Sequence, residues 1–481
     1  MEFNSLSFLI FFPAFVLIYS RLSQKYKPAW ILMCSLYFYM CWNYKYVVLL
    51  LAVILLNFFG GLLIEGRDKK AQKVILFFDI FACIGVLFFF KYFEMFLDTV
   101  KGISGFFGAE VGFNSLDLLL PVGISFYIFQ ALGYTIDVYR GDIKAERNII
   151  SFGAFVTFFP QLVAGPIERS KNLLRQINDC PKIEREKIYS GFFQMLWGYF
   201  QKVIIADRIA VIVSQIYDNY SEYPGIYLLV ATILFAFQVY CDFGGYSNIA
   251  IGAARILGFE LMENFNAPYQ AIGIADFWNR WHISLSQWLR DYVYIPLGGN
   301  RLGKKRKCTN LLCTFLISGI WHGANWTYVV WGGLHGIYRV VEEIIRDKFP
   351  AALKRCPVII LQAITFILVD FAWLFFRADS LTDAMSMISK IVTDLQLSEM
   401  LNRELAISLR MQVEEILILM LSLCALLVFD HYKHRICFGS VVIKKPAVLR
   451  WGIIYACIFG LLIFGYYGPG FNAAQFIYFQ F

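Results

Sequence analysis

The stretch that decides the fold is ADFWNRWHISLSQWLRDYVYIPLGGNR, residues 275–301, followed by a basic loop containing KKRK and by CTNLLCTFLISGIWHGANWTYVVWGGLHG, residues 308–336. It contains three of the five histidines of the chain, His282, His322 and His335. His322 lies in an otherwise apolar segment, about 13 residues or roughly 20 Å of helix rise beyond the basic loop. An ionisable side chain near the middle of a bilayer costs free energy and is typical of a functional site. We therefore expect the rest of the chain to build a membrane body around His322.

The composition indicates a membrane protein. Of 481 residues, 59% are hydrophobic and only 16% are charged. Apolar runs such as Val47–Gly61, Val74–Phe90 and Ile453–Tyr467 approach the ~20 residues that cross a bilayer as a helix. The run Leu6–Tyr19 lacks a basic start and a small-residue cleavage site, so we expect a retained helix and not a signal peptide. These features predict an all-α polytopic membrane protein, organised as one integral-membrane domain over residues 1–481.

The distribution of basic residues predicts how the chain crosses the membrane. We expect about 11–12 transmembrane helices, near residues 6–20, 30–44, 46–64, 74–97, 116–139, 190–213, 225–243, 309–331, 334–346, 357–377, 412–431 and 451–468. With both termini outside, the inner loops carry 33 Lys and Arg and the outer segments carry five. Positive charge concentrates in cytoplasmic loops, so this orientation, with the central stretch on the cytoplasmic side, is favoured. The net charge of +8 is explained by this sorting and does not indicate a nucleic-acid partner.

Two inner segments are apolar without being long enough to span. Phe152–Gly165 contains Pro160, and we expect a re-entrant or interfacial piece whose irregular backbone is covered by protein or water. Asp276–Tyr294 places aromatic and leucine side chains on one helical stripe and polar side chains opposite. That pattern predicts an amphipathic helix lying at the inner interface, with His282 at the edge of its apolar face.

His322 is the leading candidate for catalysis. Gly319 and Gly323 flank it and allow another backbone or a substrate chain to approach closely. Burial disfavours the imidazolium ion, so the side chain stays neutral and able to accept a proton. Such a group suits a general base that takes a hydroxyl proton while the oxygen attacks an acyl thioester. Trp321 and Asn325 are expected to support the ring, Asn325 by a hydrogen bond; the alternative is a hydrogen-bonded structural histidine.

His282 has two readings. Its ring either snorkels at the interface or belongs to the site. Its neighbours Arg280, Arg290 and Asp291 either anchor an anionic donor or hold the interfacial helix in register. We expect His335 to have a mainly structural role, packing through the glycines around it.

Three further features are ambiguous from the residues alone. The basic residues Arg301, Lys304, Lys305 and Arg306 either bind lipid headgroups or hold the phosphates of coenzyme A or an acidic carrier protein. Asp242 comes at the end of an apolar run, where it either caps and breaks a helix or lines a cavity for the donor. The 11 cysteines are scattered without a metal-ligand spacing, so we expect no metal site.

At these residues the chain resembles the membrane-bound O-acyltransferase superfamily, and within it the bacterial alginate O-acetyltransferase branch. The matching pieces run from about Leu118 to the C-terminus. They are LLLPVGISFYIFQALGYTIDVYRG, FFPQLVAGPIER, YCDFGGYSNIAIG, ENFNAPY, FWNRWHISLSQWLRDYVYIPLGGNR, GIWHGANWTYVVWGGLHG, DFAWLFFRA and FIYFQF. The resemblance implies a catalytic core over residues 118–377, with the active-site region at 275–336. It makes His322, in the WHG motif, the catalytic residue and His282, in RWHxSLS, its companion. The family usually has FSGYSD where this chain has FGGYSN, so no role is carried over to positions 244 and 248.

The resemblance also implies a function. A cytoplasmic acyl thioester, acetyl-CoA, would donate the acyl group, with no bound cofactor. An extracytoplasmic polysaccharide would accept it, commonly through a separate serine-hydrolase-like relay protein. The main alternative is a D-alanyl transferase of the teichoic-acid type, fed by an acyl-carrier protein. A proton-coupled transporter or export channel would show paired broken helices in two related halves, and the sequence has no such symmetry. A scaffold without catalytic activity is the third alternative.

Overall fold

The computed structural model describes residues 1–108, 119–163, 165–401, 411–432 and 438–466, in which helices are joined by turns and loops and no strand is present. Five of the described helical segments are long and apolar enough to cross a membrane, and Leu6–Arg21 is a shorter apolar helix. The five are Gln24–Ile64, Lys69–Phe106, Gly225–Ile256, Val358–Arg377 and Ala447–Phe464. The predicted class, an all-α polytopic membrane protein, is confirmed. The count of 11–12 spans and the inward or outward direction of each remain predictions.

The chain divides into two compact units. The first contains Met1–Ile188 and Ala253–Met262, and the second contains Tyr189–Gly252 and the described residues from Glu263 onward. In the first unit, α3 packs against α4 and α6, and α2 packs against α7. Its helices are α1 (Leu6–Arg21), α2 (Lys27–Asn43), α3 (Val47–Ile64), α4 (Lys69–Leu87), α5 (Phe93–Phe106), α6 (Ile124–Arg140), α7 (Ile149–Thr157), α8 (Phe159–Leu162) and α9 (Ser170–Asp179).

The second unit holds the stretch singled out above. Its helices, several of which begin or end near the division, are α10 (Arg185–Tyr199), α11 (Asp207–Asp218), α12 (Gly225–Ile256), α13 (Ile274–Arg280), α14 (Ile283–Leu289), α15 (Gly303–His322), α16 (Trp326–Lys348), α17 (Pro350–Arg355), α18 (Val358–Arg377), α19 (Leu381–Thr393), α20 (Val413–Tyr432), α21 (Phe438–Ile443) and α22 (Ala447–Phe464). Helix α16 packs along α15 and α18, and α13 contacts α14, α16 and α18. Wider π-type turns follow α10 at Phe200–Ala206 and α14 at Arg290–Tyr294.

The predicted interfacial helix over Asp276–Tyr294 is wrong as a single helix. It is broken into α13 and α14 because Trp281 is extended and His282 has a left-handed backbone, with φ of 41°. The backbone N–H of Ile283 donates to the carbonyl of Asn264 at 3.0 Å and not to its own helix. The break takes His282 away from the edge of an apolar stripe and buries it completely.

The boundaries around His322 also differ from the prediction. The spans predicted over 309–331 and 334–346 are instead α15, which ends at His322, and α16, which begins at Trp326. The residue after His322, Gly323, is extended and stops the first helix, so His322 is a helix-terminal residue. The basic loop is helical as well, because residues 304–307 form the first turn of α15.

Two other predictions concern where helices are interrupted. Helix α12 continues to Ile256, so the reading of Asp242 as a helix break is wrong, whereas its place in a cavity for the donor remains a prediction. An ion pair inside the protein, described below, accommodates that charge within the helix. The apolar segment around Pro160 forms the short buried helices α7 and α8, which are separated at Phe158. The terminal motif FIYFQF and the first residue of LLLPVGISFY lie outside the described residues.

Candidate active site

Helices α15 and α16 approach each other so closely that only glycine fits at their crossing. A Cβ atom on Gly319 would overlap the carbonyl oxygen of Tyr328, and one on Gly332 would overlap the carbonyl oxygen of Phe315. A Cβ on Gly323 would overlap the ring of Tyr328. Gly319 and Gly323 are predicted to allow the close approach of another backbone or a substrate chain. In the structure, Gly319 accommodates the chain's own backbone and Gly323 accommodates the ring of Tyr328. This crossing fixes the end of α15, where His322 is located.

The connection between the two helices is held by Asn325. Its side-chain oxygen accepts a hydrogen bond from the backbone N–H of Thr327 at 3.0 Å, which caps the start of α16. Its side-chain nitrogen donates to the backbone carbonyl of Asp379 at 2.7 Å. The hydrogen bond expected between Asn325 and His322 is therefore replaced by a helix cap and a link to the chain after α18.

His322 is enclosed by aromatic rings. It is buried, with 3% of its surface exposed. Its ring centroid lies 5.0 Å from that of Trp321, 4.9 Å from that of Trp331 and 5.5 Å from that of Phe376, each in an edge-to-face arrangement. The enclosure restricts the rotation of the imidazole and keeps bulk water away from it.

The structure brings His282 to the same place. The ring centroids of His282 and His322 are 6.1 Å apart, and that of Trp321 is 5.8 Å from His282. The ring of Phe243 on α12 packs edge-on against His282 at 4.8 Å. His282 lies between α12 and α15, outside the candidate spanning segments, and its burial lowers the pKa of the imidazole to about 3. Two buried imidazoles therefore share one aromatic environment.

Asn264 holds the unusual backbone next to His282, and sequence reasoning did not single it out. Its side-chain oxygen accepts hydrogen bonds from the hydroxyl of Ser284 at 2.9 Å and from the backbone N–H of Ser284. Its side-chain nitrogen donates to the hydroxyl of Ser247 on α12 at 3.2 Å. The only available signal was its position in ENFNAPY, one of the matching motifs.

His335 occupies a separate position on α16. The indole N–H of Trp278 donates to its Nδ1 at 3.2 Å, and the imidazole packs against Trp331 at 4.9 Å between ring centroids. His335 is completely buried. These contacts fit the packing role expected from the sequence, with Trp331 between His335 and His322.

The charged residues predicted near His282 form local ion pairs. Arg280 pairs with Asp276 at 2.9 Å, one helical turn away, and Arg290 pairs with its neighbour Asp291 at 2.8 Å. These pairs are partly exposed, and each joins residues of one local segment, so the reading in which they hold the helix in register also remains a prediction. The other reading, that they anchor the donor, remains a prediction.

Asp242 forms a buried ion pair with Lys202, another residue that sequence reasoning passed over. The Lys202 ammonium lies 2.6 Å from an Asp242 oxygen and 2.8 Å from an Asp207 oxygen. The signal for Lys202 was a lone lysine inside the apolar run FQKVIIA. Its partner Asp242 could not be chosen from the sequence, because the two lie on different helices.

The basic residues at the start of α15 divide into two groups. Lys304 pairs with Asp347 on α16 at 2.7 Å. Arg301, Lys305 and Arg306 are exposed, and across the described ranges none of their three side chains has a hydrogen-bond or ion-pair partner. Of these four basic residues, the three without an ion pair remain available to bind an anionic group.

Comparison with known proteins identifies the family. The model of the MBOAT, membrane-bound O-acyltransferase, family matches residues 140–381. A probable alginate O-acetylase of Pseudomonas putida is 39% identical over 441 residues, which cover 90% of this chain and 89% of the relative. A peptidoglycan O-acetyltransferase of Helicobacter pylori is 35% identical, covering 76% of this chain and 74% of the relative. A teichoic acid D-alanyltransferase of Bacillus subtilis is 27% identical, covering 54% of this chain and 69% of the relative.

These matches confirm the resemblance expected from the motifs. Together with the helical, apolar architecture, they show that the chain is a multi-pass membrane protein. The relatives that cover most of it are O-acetylating enzymes, and the chain is an O-acetyltransferase. The chain belongs to the membrane-bound O-acyltransferase family.

Proposed function

We propose that this chain transfers an acetyl group from cytoplasmic acetyl-CoA to an extracytoplasmic polysaccharide or to a relay protein that serves it. The observation that carries the proposal is the pair of buried imidazoles of His282 and His322, whose ring centroids are 6.1 Å apart within a cage of aromatic rings. A buried neutral imidazole is suited to take a proton from a hydroxyl group at neutral pH.

The proposed reaction balances without a further reactant. His322 accepts the proton of the acceptor hydroxyl while the oxygen attacks the carbonyl carbon of the thioester. The carbon–sulfur bond then breaks, and the proton on His322 passes to the leaving thiolate, so that the products are an acetyl ester and free coenzyme A. His282 orients the thioester carbonyl or relays the proton. The aromatic enclosure supports this scheme because it excludes water that would hydrolyse the thioester.

The donor side is proposed to be the cytoplasm of a bacterial cell. The support is the excess of Lys and Arg in the loops assigned to the inside, which includes the start of α15. In this arrangement Arg301, Lys305 and Arg306 face the cytoplasm and attract the phosphates of the donor, while both termini are extracytoplasmic. The acceptor class rests on the relatives, which act on alginate and on peptidoglycan by their names. A serine-hydrolase-like relay protein is the proposed partner on the outer side.

The test is acetyl transfer by the purified chain in proteoliposomes. Acetyl-CoA labelled in the acetyl group is supplied outside or inside the vesicle, and labelled ester and free thiol are both measured. We expect His322→Ala to lower the rate by about a thousandfold or more, because a general base alone contributes about 10²–10⁴. The matched control is His335→Asn, which replaces an equally buried histidine and leaves a side chain that can accept the Trp278 hydrogen bond. Full transfer by His322→Ala would refute the proposal.

The alternative donor is D-alanyl thioester on a carrier protein. It is favoured by the similarity to the Bacillus subtilis D-alanyltransferase, although this covers little more than half of the chain. Supplying acetyl-CoA and a D-alanyl carrier protein in separate reactions distinguishes the two. Product labelled only from the carrier would replace the acetyl proposal with the alanyl one.

A further inference from the structure

A buried charge cluster joins α11 and the π-type turn before it to α12, the helix that carries a ring in contact with His282. The Lys202 ammonium sits between Asp207 at 2.8 Å and Asp242 at 2.6 Å, and the three side chains are at most 10% exposed. Lys202 belongs to the π-type turn Phe200–Ala206, Asp207 begins α11, and Asp242 lies inside α12. The cluster therefore ties the α10–α11 pair to the middle of α12.

Such a cluster is not explained by stability alone. Removing charged groups from water is costly, and well-packed apolar residues in their place are often equally stable or more so. What an ion pair with one cation and two carboxylates does provide is a defined register, because the partners must meet at hydrogen-bond distance. The backbones of α10 and α12 also meet at Gly198 and Gly245, where a Cβ on either residue would be 2.5 or 2.7 Å from the other's carbonyl oxygen. The axial position of α12 is thus fixed at this point.

The fixed segment of α12 carries the contacts that hold His282. Phe243 follows Asp242 directly, and its ring packs edge-on against the His282 ring at 4.8 Å. About one turn further along, the Ser247 hydroxyl accepts the hydrogen bond from Asn264 at 3.2 Å. Asn264 in turn binds the backbone N–H groups of Ile283 and Ser284, directly after the left-handed His282. A shift of α12 would move both the ring that packs on His282 and the clamp that holds its backbone.

We infer that Lys202, Asp207 and Asp242 are positioning residues for acyl transfer, which act by fixing the part of α12 that holds His282 in place. The inference rests on the proposed function for its effect on rate, whereas its structural effect can be measured without any activity. It assigns no contact with substrate to the cluster.

The first experiment compares Asp242→Asn with the wild type in proteoliposomes. Displacing a catalytic group by about 1 Å can cost about a hundredfold in rate. We expect kcat to fall by tenfold to a hundredfold while KM for acetyl-CoA changes less than twofold. The matched control is Asp79→Asn, which replaces a carboxyl group on α4 of the first unit that is similarly buried, at 3% exposure against 2% for Asp242. An unchanged kcat in folded Asp242→Asn would overturn the inference.

A second variant and a second measurement make the result independent of folding and of the reaction. Phe243→Leu leaves the charge cluster intact and removes the ring on His282, and it should show the same loss of kcat; an unchanged kcat would overturn the inference. Hydrogen–deuterium exchange of the peptide covering residues 283–289 should be faster in Asp242→Asn than in Asp79→Asn. If the wild type consumes no thioester, the proposed function fails, and the exchange rates alone decide whether the cluster positions this segment. Equal exchange in the two variants would overturn the inference.

Discussion

Replacing Gly319 by alanine tests whether the tight crossing of α15 and α16 positions His322. The added Cβ would overlap the Tyr328 carbonyl oxygen and would lie 3.2 Å from the Cα of Gly332, and both obstacles are backbone atoms that cannot rotate away. The helices must separate by several tenths of an ångström or more. Overpacking of this kind costs about 1–3 kcal/mol, and because Gly319 is one turn before His322, the imidazole is displaced as well. We expect a loss of about 2 kcal/mol in stability and a fall in acetyl transfer of about tenfold to a hundredfold.

The matched control is Gly333→Ala, one residue along α16 from Gly332. A Cβ there meets only a methyl group of Leu316 at 3.7 Å, an ordinary van der Waals distance. Both variants would be purified in detergent, and thermal unfolding and acetyl transfer in proteoliposomes would be measured for each. Gly333→Ala should behave as the wild type. If Gly319→Ala unfolds at the same temperature and transfers acetyl at the same rate as Gly333→Ala, the close crossing does not position His322 and the reasoning fails.

Three further predictions follow from the site. Lys305→Ala combined with Arg306→Ala should raise KM for acetyl-CoA severalfold, more at low salt than at high salt. Lys304→Ala should leave KM unchanged, because Lys304 already pairs with Asp347. Equal KM values for the double variant and the wild type would assign Lys305 and Arg306 to lipid headgroups alone. His282→Asn should reduce the loss of stability on acidification, because the imidazole of the unfolded chain binds a proton below its ordinary pKa near 6.5, whereas the buried imidazole does not until about pH 3. The resulting difference in the free energy of unfolding between the wild type and the variant reaches about 2 kcal/mol at pH 5. Unfolding temperatures that fall in parallel from pH 7 to pH 5 would contradict this prediction. Asn325→Ala should lower stability by about 1 kcal/mol through loss of the α16 cap, measured by thermal unfolding, with Asn325→Asp keeping the cap.

The membrane class and the family could be predicted from the sequence, which also pointed to the stretch that contains the candidate site. Apolar run length and the cost of an intramembrane imidazole are local properties, so they pointed to His322 without knowledge of the fold. The motifs added His282 as a candidate. These predictions needed only residue types and short spacings.

What could not be predicted depends on contacts between distant parts of the chain. The stripe in Asp276–Tyr294 indicated one helix, yet the hydrogen bonds that Asn264 accepts from Ile283 and Ser284 accompany a break at His282. An aspartate after an apolar run indicated a helix end, yet Lys202 neutralises Asp242 inside the protein and α12 continues. In each case the local pattern was real and a tertiary partner changed its outcome.

The two histidines lie at opposite ends of their helices. His322 ends α15, whereas His282 precedes α14, and the sequence did not predict either boundary. His322 is the last residue of α15, at the end of the helix where the backbone dipole is negative and favours a nearby positive charge by about 0.3–1 kcal/mol, more when partly buried. His282 precedes the first residue of α14, where the N–H groups carry partial positive charge and the imidazolium gains no such support. The two rings therefore differ in the helix end that each one adjoins. This asymmetry supports His322 as the group that accepts the hydroxyl proton and His282 as the neutral partner that orients the thioester.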